Sequence, residues 1–185
     1  MASTHEFGSI RHLAGRFFGA LMPFGPSRAD ENWVRSQLLP GEWSLWTRMS
    51  GADRRHAVGV ARRTVTELEA SSGQGLVPRK IVAAALLHDV GKVESGLGTW
   101  SRAFVTLAGM AVGRARVVAW SEKSDQVWRR RVGSYLRHDQ VGADLLLAAE
   151  SDPFTIAWAG EHHRPPETWT VDLALGEALK VADDD

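Results

Sequence analysis

His88 and Asp89 stand side by side where a long apolar run, Ile81-Val82-Ala83-Ala84-Ala85-Leu86-Leu87, ends and Val90-Gly91-Lys92 begins. A run of that kind is buried, and an imidazole and a carboxylate emerging from it need a partner. A divalent cation satisfies both. Five of the seven histidines fall, with Asp89 and a late Asp183, in the order His56, His88-Asp89, His138, His162-His163, Asp183. Each has an ordinary reading on its own. His56 is a hydrogen-bonded core histidine, His88-Asp89 a polar helix end, His138 a surface residue between Arg137 and Asp139, and His162-His163 a helix end before Arg164-Pro165. Together they form a nitrogen and oxygen donor set placed at helix termini or first turns, where several helices can converge on one cavity. Imidazole suits transition metals, and a carboxylate can bridge two of them. Two metals about 3.5–4 Å apart can hold a hydroxide between them and clamp a phosphoryl group. The remaining histidines, His5 and His12, read as solvated.

The elements that must position these residues are helical. A first amphipathic helix is expected over Ala29–Leu39, stopped by Pro40-Gly41, and a short one over Glu42–Met49 carrying Trp43, Leu45 and Trp46. Gly51-Ala52-Asp53 reads as a turn and N-cap for a helix over Arg54–Ala70, whose apolar positions Ala57, Val60, Ala61, Val65 and Leu68 keep a helical period. His56 then looks inward from the first turn. Ser71–Gly75 is a loop, and Pro78 starts the helix that ends in the doublet. Ser101–Trp120 reads as a small-residue helix, with a partner or membrane-surface role as the alternative. Further helices are expected over Asp125–Arg137 and Asp139–Glu150, then from a cap at Asp152-Pro153 to His163, and from Leu173 to the end. The basic run Arg129-Arg130-Arg131 reads as a solvated face. With no clear strand signal, the fold class is all-α, with residues 1–28 a flexible leader and 29–185 one domain.

Composition bounds the chemistry. A chain of 185 residues, 44% hydrophobic, is one domain with a proper core. It has no cysteine, which excludes thiolate metal sites, disulfides and cysteine nucleophiles and suits a reducing cytoplasm. Any metal is held by nitrogen and oxygen, leaving Fe, Mn, Ni, Zn or Mg. Formal charge is zero, from 22 basic and 22 acidic residues, so a whole-protein basic field for nucleic acid is not expected, while a local patch stays open. Phe17–Phe24 is apolar but interrupted by Gly19 and Pro23, so neither a membrane span nor a secretory signal is expected.

The chain resembles the HD-domain metal-dependent phosphohydrolase superfamily. The matching segments are Arg55-His56-Ala57-Val58, Leu86-Leu87-His88-Asp89-Val90-Gly91-Lys92, Arg137-His138 with Val141-Gly142-Ala143, Glu161-His162-His163 and Lys180-Val181-Ala182-Asp183, spanning about 53–185. The resemblance implies a stand-alone HD domain in which His56, His88, Asp89 and Asp183 form the basic mononuclear set. Asp89 would bridge to a second metal held by His138, His162 and His163. A metal-bound hydroxide would attack phosphorus in line, and Lys92 would stabilise a phosphate oxygen or hydrogen-bond the nucleophile. Arg164 and Arg137 are further anion contacts, and the expected substrate is a nucleotide or related small phosphate ester.

Two departures narrow this. The Gly-Tyr-Pro motif of the cyclic-dinucleotide phosphodiesterases is missing after the paired histidines, where the chain reads Arg164-Pro165-Pro166-Glu167. Ala52 stands where a third-metal glutamate could sit, one turn before His56. Two metals at most are therefore expected, and cyclic di-guanylate is not favoured. Two other readings stay open: an HD-fold di-iron oxygenase, and a non-catalytic metal-binding sensor. The sequence leaves open the oligomeric state and whether Asp183 is held in place.

Overall fold

The computed structural model describes residues 24–72, 76–95, 113–122 and 126–184. Among them every regular element is helical. The helices are α1 (Arg28–Gln37), α2 (Pro40–Arg48), α3 (Gly51–Ser72), α4 (Arg79–Leu87), α5 (Arg114–Glu122), α6 (Val127–Leu136), α7 (His138–Ala148), α8 (Pro153–Glu161) and α9 (Leu173–Asp184). Short 3-10 turns cover Val90–Ser95 and Pro166–Thr168. Most of the expected leader, and residues 101–112 of the Gly-rich segment, lie outside the described residues. No described helix is long and apolar enough to cross a membrane.

Two helix starts differ from the sequence reading. Pro40-Gly41 does not close the first helix, which already ends at Gln37; Pro40 opens α2 instead. Proline's missing N–H costs nothing in a first turn, and its φ is already helical. Glu42 reaches back to accept from the Leu39 N–H at 2.8 Å. The third helix starts at Gly51 rather than Arg54. Ser50 caps it: its Oγ accepts from the Asp53 N–H at 3.1 Å and donates to the Asp53 carboxylate at 2.7 Å. Asp53 is thus the capping partner inside the helix, bound to Ser50 through both its N–H and its carboxylate. His56 therefore sits in the second turn of α3.

Helix α4 is the centre of the core. All seven residues from Ile81 to Leu87 are buried, and Ala83, Ala84 and Ala85 are fully so. Three small side chains in succession let neighbouring helices approach α4 from all sides. Helices α3 and α8 pack against it, with α1 and α2 at one end. Val34, Trp46, Val60, Leu146, Trp158 and Leu179 complete the cluster. Burying a side chain of that size contributes about 1.5–3 kcal/mol each. A second, smaller cluster of Val117, Val132 and Leu136 joins α5 to α6, with Tyr135 against it. Helix α6 packs on the 3-10 turn after α4, and α7 covers the same turn.

Glu42 is a buried acid that no sequence signal singles out. It is fully buried and accepts from Arg79 at 3.1 Å and from the Ser151 hydroxyl, tying α2, α4 and the α7–α8 loop together.

Candidate metal centre

The doublet sits where the backbone leaves α4. His88 is the C-cap of that helix, and the chain tightens into the 3-10 turn, with the Lys92 N–H donating to the Asp89 carbonyl at 3.1 Å. Gly91 decides what can approach. A Cβ there would lie 1.9 Å from the His138 carbonyl oxygen and 2.5 Å from the Gly142 nitrogen. On the facing side, a Cβ at Gly142 would sit 3.2 Å from the Gly91 nitrogen. Two glycines thus let the first turn of α7 press backbone to backbone on the doublet turn, which brings His138 to Asp89.

The seven expected ligands fall into two groups that could each hold a metal ion: His56, His88 and Asp183, and Asp89, His138, His162 and His163. In the triad, His56 Nε2 lies 3.0 Å from Asp183 Oδ1, and His88 Nε2 lies 3.6 Å from the same oxygen. In the quartet, Asp89 Oδ1 lies 3.3 Å from His138 Nε2 and 3.8 Å from His162 Nε2, and the Nε2 atoms of His138 and His163 are 3.1 Å apart. Ligand atoms sharing one metal at bonds near 2.1 Å sit about 3.0–3.4 Å apart, so most of these separations are of the right size. Asp89 faces both groups: Oδ1 points to the quartet, while Oδ2 lies 3.4 Å from His88 Nε2.

Three of the histidines are oriented by one device. The Nδ1 atoms of His88, His138 and His162 lie 2.9, 2.7 and 3.0 Å from the carbonyls of Ala85, Tyr135 and Ala159. Each carbonyl is three residues back, in the last turn of α4, α6 or α8, where helix carbonyls lack partners of their own. A carbonyl only accepts, so each Nδ1 carries the proton and each Nε2 presents a lone pair to the centre. For His88 and His162 that Nε2 is buried without a hydrogen-bond partner. A buried, unsatisfied nitrogen is costly, and a bound cation removes that cost. This is the observation on which a metal fits these residues.

The electrostatics agree. Burial opposes charge on His88, but the Asp89 and Asp183 carboxylates outweigh it and push its pKa up to about 9. His162 goes the other way: burial, with positive His88 close by, pushes it down to about 3, so it stays a neutral donor. Burial also works against charge on the two acids. Lys92 and His88 nevertheless hold Asp89 well below the usual carboxylate range, and His88 with His56 does the same for Asp183. The centre therefore holds two carboxylates that keep their charge and an imidazole that draws a cation, whether a proton or a metal.

The expected anion contacts are placed unequally. The Lys92 ammonium pairs with Asp89 Oδ2, and its side chain is 19% exposed. Arg164 is exposed on the backbone next to His163, itself solvent-exposed, whereas His162 is 1% exposed. Arg137 is exposed at the N-cap of α7. The segment behind Arg164 is fastened by Glu161, which accepts from the Thr170 N–H and hydroxyl at 2.7 Å each. The Trp169 indole N–H donates to the carbonyls of Glu161 and Arg164, both at 3.0 Å. Sequence reasoning gave Glu161 no role of its own, nor Tyr135, whose ring stacks on His138 with centroids 5.7 Å apart. A charged residue directly before paired histidines was the available signal for Glu161. For Tyr135 there was none.

Comparison of the chain with known protein families, with curated proteins and with solved structures finds no significant match, so its own residues carry the functional argument.

Proposed function

We propose that this protein is a metal-dependent phosphohydrolase of the HD type, a single domain acting on a nucleotide or related phosphate ester. The observation that carries the reading is the split of Asp89, with one oxygen toward His88 and the other toward His138 and His162. A carboxylate so placed suits a bridge between two divalent ions. His56, His88 and Asp183 would hold one ion and His138, His162 and His163 the other. Bound there, divalent ions supply Lewis acidity toward a phosphoryl oxygen and bring the pKa of water toward neutrality.

The chain's own groups supply the rest. The Nδ1–H bonds to helix-end carbonyls hold the three imidazoles in their ligating tautomer without reorganisation. Lys92 places a positive charge beside Asp89, where it can neutralise an oxygen of the substrate phosphate. Arg164 and Arg137, both exposed, offer guanidinium contacts for the remaining phosphate oxygens or a neighbouring phosphate. The absence of cysteine fits work in a reducing compartment.

Metal analysis of purified protein, with a panel of phosphomonoesters and phosphodiesters on Mn2+- and Ni2+-loaded samples, tests the reading. Hydrolysis that disappears in Asp89→Ala supports it. Metal binding without hydrolysis of any ester, together with dioxygen consumption after anaerobic Fe2+ loading, replaces it with an oxygenase on the same ligands. Metal binding with neither activity points to a sensor.

A further inference from the structure

Asp183 is delivered by the last turn of α9, and a ligand so placed must be kept from fraying. Arg63 of α3 meets that need. Its Nε and Nη2 both donate to the Ala182 carbonyl, at 2.9 and 2.8 Å. The carbonyl belongs to the residue directly before Asp183 and is one of those that a helix end leaves without partners. Among the described residues Arg63 makes no ion pair, so its fork serves this main-chain oxygen alone.

A second observation points the same way. Gly59 lies in the middle of the 22-residue helix α3, where glycine costs about 1 kcal/mol relative to alanine. Outside the helix's own adjoining backbone, the three nearest atoms to a Cβ built there all belong to the Arg63 guanidinium, at 3.2, 3.9 and 3.9 Å. Glycine here leaves the space in which the guanidinium folds back along α3. His56, Gly59 and Arg63 recur at intervals of three and four residues, one stripe of the helix. That stripe faces α9, and it carries a ligand, a gap and a clamp. The His56–Asp183 contact at 3.0 Å is the product of this registration.

We infer that Arg63, seated in the space left by Gly59, is a positioning residue that holds Asp183 in the His56–His88–Asp183 triad and so sets the affinity of that half of the centre for a divalent cation. The inference rests on the metal-centre reading above. Losing an outer-shell partner typically weakens metal binding about 10–100-fold.

Calorimetric and visible-absorption titration of the full chain with Co2+ tests it. Wild type should bind two equivalents. Arg63→Ala should weaken one of them about 10–100-fold and leave the other unchanged, and Arg63→Lys, with a single donor nitrogen in place of a fork, should recover part of the loss. Gly59→Val leaves Arg63 in the chain but fills its seat. It should weaken the same equivalent while the metal-free melting temperature holds or rises, since glycine is the costlier helix residue. A structural role alone would move the melting temperature and leave both affinities intact. Two wild-type affinities in Arg63→Ala overturn the clamp; should that variant not fold, the same result in Gly59→Val overturns it. A wild type that binds no Co2+ removes the metal centre and the clamp together.

Discussion

The triad His56, His88 and Asp183 and the quartet Asp89, His138, His162 and His163 are delivered to one centre by different means. The quartet is a backbone construction. Its turn and helix meet through Gly91 and Gly142, atoms of the main chain in direct contact, and its histidines follow helix ends that have little freedom to shift. The triad is closed by side chains. His56 and Asp183 are 127 residues apart in sequence, and their meeting depends on where the last turn of α9 comes to rest. One half is built into the fold, then, while the other is fastened onto it, and Asp89 faces both. Substitutions that look alike by residue type should therefore fail in different ways.

The largest effect belongs to the shared member. Asp89→Ala should reduce hydrolysis to background and weaken both metal equivalents by more than the about 10–100-fold of an outer-shell loss. Metal content after dialysis, measured beside ester hydrolysis, checks this; two tightly held equivalents in the variant would mean that Asp89 joins nothing. Gly91→Ala attacks the quartet through the backbone. Its Cβ meets a carbonyl oxygen at 1.9 Å, so the turn and α7 must separate. We expect a loss of about 1–3 kcal/mol, a melting temperature lower by roughly 2–10 °C, and damage to the quartet's metal. Asp183→Asn should do the reverse, sparing the melting temperature of loaded protein more than Gly91→Ala does while one metal equivalent is lost and the other kept. Equal damage to both equivalents by either variant would dissolve the distinction.

The smallest effect is a pH dependence confined to protein stripped with a chelator. His88 is raised in the folded state from 6.5 to about 9, so the stability its proton contributes is complete below pH 6.5 and lost as pH rises through about 9. Melting curves in EDTA between pH 6 and 10 should show this slope, and His88→Gln should flatten it. Saturating metal should also flatten it, because the cation takes the place of the proton.

The helices were largely legible because apolar period and punctuation are local signals, and so was the donor set, because imidazoles and carboxylates announce their chemistry wherever they fall. The capping of α3 was read three residues late, since Gly51-Ala52-Asp53 and Ser50 with Asp53 are both acceptable starts, and only the hydrogen bonds separate them. Pro40 carried the same ambiguity between a stop and a start. Arg63 was out of reach for another reason. Its partner is a main-chain oxygen 119 residues away, and no residue type marks a carbonyl that needs a donor. Gly91 belonged to a recognisable motif, but the reason for glycine there, the approach of α7, is a tertiary fact.

The helix-end carbonyls that orient His88, His138 and His162 have a consequence beyond tautomers. Among the described residues, helices α4, α6 and α8 finish at the centre and α9 brings Asp183 in its own last turn, so four carboxyl-terminal ends converge, opposed by the amino-terminal ends of α7 and of α3, which carries His56 in its second turn. Each such end carries roughly half a negative charge from its aligned peptide dipoles. The protein has no net charge, yet this convergence makes a local sink for cations before any side chain ionises. For the proposed ester substrate this would set an order of events: an anion would be repelled until positive charge had accumulated at the centre, so metal loading would come before substrate capture.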